Sequence, residues 1–288
     1  MFGATLALLT LSSSAQIGRV KEVRAIDGEI QSIITNPPVA VYKFGGSFGT
    51  ANVHSNYAHG YFGFEGRANW ELNGSFAAYA RGSFGMKGED LSTFNLTRAY
   101  AGRRWYALEG AVAFHLFKSD WDSEVDLVLQ KYRDGGGISG GGRILRTYKI
   151  DTPRHKRGSL RAGARIDTYQ SSAFVGLQYS QINFISGIFG NYGEATYSNI
   201  VNFYVDYMFI YDETTNGNEL IDYYEGEELA RGLIPFRIGM EYNPRLTTYY
   251  FNLGGRPYGF TEFGIIWTLF TKKAAPMPLD EMDKKYGE

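Results

Sequence analysis

Residues 59–72 read HGYFGFEGRANWEL, two interleaved registers of different kind. One holds Gly60, Phe62, Phe64, Gly66, Ala68, Trp70 and Leu72; the other holds His59, Tyr61, Gly63, Glu65, Arg67, Asn69 and Glu71. A period of two marks a strand whose faces meet different surroundings. Asn73-Gly74 follows, the signal of a two-residue type I′ hairpin. The pattern then resumes, with Phe76, Ala78, Ala80, Gly82, Phe84 and Met86 on one face and Ser75, Tyr79, Arg81, Ser83 and Lys87 on the other. A half-buried strand of a soluble sandwich also alternates. The strand length, the aromatics near the ends and the charges on the second face fit better a wall with lipid outside and a polar lumen inside.

Composition agrees. The 288 residues are 44% hydrophobic and 16% aromatic, with 22 Tyr, 20 Phe and 36 Gly. Tyr and Phe suit interfacial girdles, and Gly relieves crowding where strands bend and tilt. Mean hydropathy is −0.27, and no apolar run approaches the roughly 20 residues of a spanning helix. A net charge of −1 argues against a nucleic-acid binder. The absence of cysteine excludes disulfides, thiolate metal sites and a lipid-anchoring cysteine.

Following the alternation gives strands at 39–53, 59–72, 75–86, 107–117, 124–132, 143–151, 159–169, 172–183, 198–211, 235–242, 247–253 and 260–270. The expected fold is all-β: a transmembrane, antiparallel, up-and-down β-barrel of about twelve strands, with ten or fourteen as alternatives. The inner connections become 73–74, 118–123, 152–158, 184–197 and 243–246; the outer ones become 54–58, 87–106, 133–142, 170–171, 212–234 and 254–259. The apolar run 2–11, ended by Ser12-Ser13-Ser14-Ala15, has the form of a signal peptide over 1–15. Residues 16–38, closing on Pro37-Pro38, are then a periplasmic segment before a barrel over 39–270. The polar tail 271–288, with Pro276 and Pro278, is expected to stay periplasmic and to order only against a partner.

The last strand alternates Phe263, Ile265, Trp267 and Leu269 with Glu262, Gly264, Ile266 and Thr268, and ends at Phe270. A terminal amphipathic strand finishing on an aromatic resembles the assembly signal of Gram-negative outer-membrane β-barrel proteins. Ala15-Gln16 resembles the signal-peptide end of exported Bacteroidota proteins. The resemblance implies a bacterial outer-membrane location, contact with lipid including lipopolysaccharide, and a porin-like fold.

The inward registers predict a lumen network of both signs: Lys43, Glu65, Arg67, Arg81, Glu109, Asp126, Arg161, Arg165, Asp167, Asp206, Arg237, Glu241 and Glu262. Glu71, Glu124, Arg143 and Lys149 share that register. Neither sign is in excess, so long Arg and Glu side chains pair across a narrow interior. A girdle of Tyr42, Trp70, Phe76, Tyr242, Tyr249 and Trp267 is expected at the inner interface. Catalysis has little support. Neighbours in His54-Ser55-Asn56 point to opposite faces, and His115 has Glu109 on its face but no visible triad. His59 and His155 read as a loop edge and a basic turn.

Residues 212–224 (DETTNGNELIDYY) open like a calcium loop but lack its closing Glu, so a solvated acidic loop is the better reading. Arg98, Arg103 and Arg104 beside Trp105 and Tyr106 suit lipopolysaccharide phosphates at the outer rim, or simple snorkelling. The runs 135–137 and 140–142 are flexible glycine, not a phosphate cradle. The sequence therefore predicts a non-enzymatic barrel without metal or cofactor, an accessory or structural subunit of a larger outer-membrane complex. Its partners would be envelope proteins met through loop 212–234 or the periplasmic termini. A narrow porin-like channel is the alternative, and an outer-membrane lipid hydrolase a minor one.

Overall fold

The computed structural model describes residues 20–24, 30–54, 57–88, 104–133, 143–167, 170–213, 235–244, 246–254 and 259–286. Its strands are β1 (Val20–Arg24), β2 (Ile30–Ile34), β3 (Ala40–His54), β4 (Tyr57–Asn73), β5 (Phe76–Gly88), β6 (Arg104–Arg133), β7 (Arg143–Asp167), β8 (Gln170–Phe189), β9 (Gly193–Glu213), β10 (Phe236–Pro244), β11 (Thr247–Gly254) and β12 (Gly259–Lys272), followed by one helix, α1 (Leu279–Tyr286). Ten strands, β3 to β12, pair antiparallel in chain order. The ring closes where β12 meets β3, from Gly259↔Asn52 to Lys272↔Ala40. The chain is a closed all-β antiparallel barrel.

Ten replaces the twelve expected, because two pairs of expected strands are continuous. β6 runs 30 residues through the supposed turn 118–123, and β7 runs 25 residues through 152–158. A β-bulge explains the misreading. His115 pairs with Ser159 and Phe117 with Gly158, so Leu116 stands unopposed and the in–out parity of β6 reverses. The polar run after it, Lys118 to Ser123, looks like a turn but stays paired to β7. β6 therefore ends, and β7 begins, at the same end as Asn73-Gly74, hereafter the lower end, not at the opposite end expected. The expected loop 184–197 is also mostly strand. Its turn is a single 3-10 turn at Gly190–Tyr192, with positive φ at its first residue, Gly190 (37°), and at Gly193 just after it (74°), which only glycine takes without strain.

The barrel is lopsided. β5 and β6 part at Phe76↔Phe114, and β7 and β8 part at Arg154↔Asn183. Below those points the hairpins β6–β7 and β8–β9 continue as an extension. Two strands outside the ring line its edges: β1 lies parallel on β7, and β2 lies antiparallel on the end of β8. The amide of Met277 donates to the Ile33 carbonyl at 2.7 Å, so the tail follows the other side of β2. Ile33, Val125, Leu127, Ile150, Ile185, Phe189 and Ala195 form a buried core there, with Met277 packed against it.

The tail is thus ordered by the chain's own extension, which corrects the expectation that it waits for a partner. Its prolines precede the helix, where no intrahelical bond is lost. Asp280 and Glu281 in the first turn and Lys284 and Lys285 in the last suit the dipole of α1. Lys273 pairs with Glu194, and Lys285 pairs with Asp122 at 2.9 Å.

The link between β2 and β3 closes the lower mouth. β2 sits on β8 while β3 sits between β12 and β4, five places round a ring of ten and so on the opposite wall. Residues 35–39 must cross between them, a span of about 17 Å for an extended chain. Pro37 and Pro38 hold that strap extended, and His155 fixes its start, with Nε2 3.2 Å from the Thr35 carbonyl oxygen. His155 is a buried strand residue, not part of a basic turn.

Candidate functional site: the interior charge network

The inward register of each strand delivers its charges to one place. Glu65 and Arg67 come from β4, Arg81 from β5, Glu109 from β6, Arg161, Arg165 and Asp167 from β7, Asp206 from β9, Arg237 and Glu241 from β10, and Glu262 from β12. Glu65 accepts from Arg67, from Arg81 at 2.7 Å and from the Tyr250 hydroxyl at 2.5 Å. Glu262 accepts from Arg81 at 2.6 Å, Arg165 at 2.5 Å and Asn252 at 3.2 Å. Arg237 forks onto both oxygens of Glu109 at 2.6 and 3.0 Å and holds Asp206 at 2.6 Å. Arg161 joins Glu109 and Asp206, Arg165 joins Asp167, and Arg67 joins Glu241.

Five carboxylates, Glu65, Glu109, Asp206, Glu241 and Glu262, therefore tie together opposite walls. Lys43 is buried on the same side, across from Arg67. The six acids Glu65, Glu109, Asp167, Asp206, Glu241 and Glu262 balance the six bases Lys43, Arg67, Arg81, Arg161, Arg165 and Arg237, leaving no net charge. Burial is deep: Glu65, Asp206, Arg237 and Glu262 are each 0% exposed. A charge removed so far from water is tolerated only when paired and hydrogen-bonded, which this lattice supplies.

Aromatic rings complete the filling. The Arg67 guanidinium lies 3.8 Å from the centre of the Tyr250 ring and that of Arg161 4.1 Å from Tyr204. The Tyr204 hydroxyl bonds Asn252. Two inward glycines make room for these rings. A Cβ at Gly239 would stand 2.1 Å from the Tyr204 ring, and one at Gly264 2.4 Å from Tyr250. Sequence reading missed Tyr204, Tyr250 and Asn252 as parts of the network. The usable signal was a bulky inward residue beside an inward glycine on the next strand.

A cavity of about 40 Å³, bordered by Arg67, Arg81, Glu109, Arg161 and Tyr204, interrupts the lattice. Buried Arg67 Nη2 and Arg81 Nε have no protein hydrogen-bond partner. Such a space holds a few waters, which would satisfy them. A second cavity of about 70 Å³ lies at the lower end under the strap, lined by Pro37, Pro38, Glu71, His115 and Arg157 among others.

Beside that second cavity the structure assembles what the sequence left scattered. Ser159 Oγ lies 2.7 Å from His115 Nδ1, and Glu71 Oε1 lies 3.3 Å from His115 Nε2. The residue types and order are those of a hydrolytic triad. Two features pull the other way. Arg157 donates to Glu71 at 2.6 Å and stands 3.4 Å from His115 Nε2, and Ser159 is 2% exposed and does not line either cavity. The group closes the inner end of the network as a set of polar contacts.

Three residues expected in the lumen lie outside it. Asp126, Glu124 and Lys149 keep the inward register, with Asp126 opposite Lys149, but they are exposed in the extension because β6 and β7 run on below the ring; Glu124 pairs with Lys149. Trp105 is 2% exposed rather than part of an outer rim patch. Tyr42, Phe76, Tyr242, Tyr249 and Trp267 lie exposed on the outside of the wall at the lower end, with Trp70 donating to the Tyr42 hydroxyl at 3.0 Å. Residues 1–19, 89–103, 134–142 and 214–234, which include the signal-peptide stretch, Arg98, Arg103, both glycine runs and most of the acidic loop, lie outside the described residues. Among the described residues no cluster of three metal-ligating side chains occurs. No family model matches the chain, and no curated protein matches it in sequence.

Proposed function

We propose that the chain is a non-enzymatic transmembrane barrel of a Gram-negative outer membrane, an accessory or structural subunit of a larger envelope complex. The observation that carries the reading is the interior: a charge-neutral lattice of ion pairs and rings above a strap that crosses the lower mouth. A solute path needs a polar passage with unspent binding groups. Here the charged groups are spent on one another.

The membrane part rests on the outer face. Phe44, Phe64, Phe84, Leu108, Leu177, Met240, Phe251 and Ile265, from eight different strands, are each more than two-fifths exposed. An apolar belt round a whole barrel far exceeds what a water-soluble surface leaves uncovered. It is what a lipid-facing wall requires. Lipid, including lipopolysaccharide, is then the partner of the wall, and other envelope proteins are the partners of the parts outside it.

Conductance of the purified full chain in planar bilayers tests the function. The expected result is no steady current at moderate salt. Stable conductance at the level of an open porin would overturn the filled-barrel reading in favour of a narrow channel.

A further inference from the structure

Among the described residues one side of β6 has no strand partner below the ring. The last bond of β6 to β5 among those residues runs from the His115 amide to the Ser75 carbonyl at 2.8 Å, after which β6 continues to Arg133 paired with β7 alone. Among the described residues no strand pairs with the other side of 117–133. Backbone donors and acceptors along such an edge are a template for one more strand. From 120 to 126 every other side chain along it is an exposed acid: Asp120, Asp122, Glu124 and Asp126. The alternate side chains Val125 and Leu127 enter the core of the extension.

We infer that this edge receives an extended, basic segment of a partner protein as an added strand. The pattern dictates the partner's chemistry: cations at alternate positions to meet the acids, and apolar residues between them to lengthen the core. A second copy of this chain is the wrong occupant, since pairing edge to edge would set these acids opposite one another. The acids now meet internal cations, with Asp120 near His155, Asp122 near Lys285 and Glu124 near Lys149. These contacts are exposed on the acid side, hence weak and readily exchanged for a partner's lysines. The inference gives the accessory role proposed above its interface, and rests on that reading only for the partner being another envelope protein.

The test is hydrogen exchange of the full chain in detergent micelles with the peptide probe Ac-KVKVTVKVK-NH2. Slowed exchange over 117–129 is expected, with binding about tenfold weaker for the matching Glu probe. The double variant Glu124→Lys with Asp126→Lys, both at exposed positions, should abolish that preference. A Lys probe with two central prolines should lose binding, because a strand cannot form through them. Equal affinity for both probes, protection elsewhere, or protection that rises with protein concentration alone would each overturn the inference, the last in favour of self-pairing. Conductance on the same preparation keeps the two readings apart. A silent barrel that ignores the probe removes only the edge, and a conducting barrel that binds it removes only the filled lumen.

Discussion

β8 carries one outward register through two surroundings. In the wall, Val175, Leu177 and Tyr179 are 38%, 61% and 37% exposed; further down the same face, Ile185 and Phe189 are 0% exposed. β7 repeats the contrast, with Leu160 and Ile166 bare and Ile150 covered. The chain covers its apolar side chains where the two hairpins leave the ring, and leaves them open where the ring is closed. Water penalises every apolar surface alike. A single aqueous solvent therefore gives no reason for the difference, whereas lipid around the ring and water around the extension gives one. The inside of the wall inverts the rule, since its charges are buried and only mutual pairing makes that tolerable.

The strongest way to break this comparison is to take one charge from the lattice. Arg237→Ala leaves Glu109 and Asp206 short of their main partner in a place that bulk water does not reach. A loss of about 3–5 kcal/mol is expected. Urea unfolding in lipid, read by heat-modifiable mobility, would measure it. A loss below about 1 kcal/mol would mean that the interior is wet and the lattice loose.

Next in size is the solvent contrast itself. Leu177→Arg should cost about 2–4 kcal/mol if that position faces the bilayer midplane, and almost nothing if it faces water. Ile185→Ala, eight residues further along the same face, should cost about 2–4 kcal/mol by opening a cavity in the extension core. Its effect should not depend on the lipid. If Leu177→Arg is harmless, the wall is not in a membrane, however well the extension behaves.

Much of the wall was legible because the period-two pattern is strict from Val41 to Met86 and from Phe236 to Trp267, and because Asn73-Gly74 announces its own turn. The interior charges were legible for the same reason, since parity alone sends Glu65, Arg81, Asp206 and Glu262 inward. Parity fails at a bulge. The unopposed Leu116 shifts every later residue of β6 by one, which keeps Asp126 on the inward register, but by then the strand has run below the ring, and the polar runs 118–123 and 152–158 made two long strands read as four short ones. The extension was hidden for a different reason. Its core joins Ile33, Leu127, Ile185 and Met277, brought together from across the chain by tertiary packing, with no local periodicity to announce it. The same packing overrode the prolines of the tail.

The smallest expected effect sharpens the comparison from the wet side. Lys149 and Glu124 form an ion pair like those inside the barrel, but their side chains are 38% and 59% exposed. Water already solvates both partners, so little is gained when they meet and little is stranded when one is removed. Lys149→Ala should change stability by less than about 1 kcal/mol, and added salt should erase the change. Run beside Arg237→Ala in the same unfolding assay, it asks whether burial or pairing sets the worth of a charge here. Similar losses at the two sites would show that pairing alone matters and that the ring offers no environment different from the extension. A several-fold gap that persists in salt is the result that a buried, self-neutralised barrel interior requires.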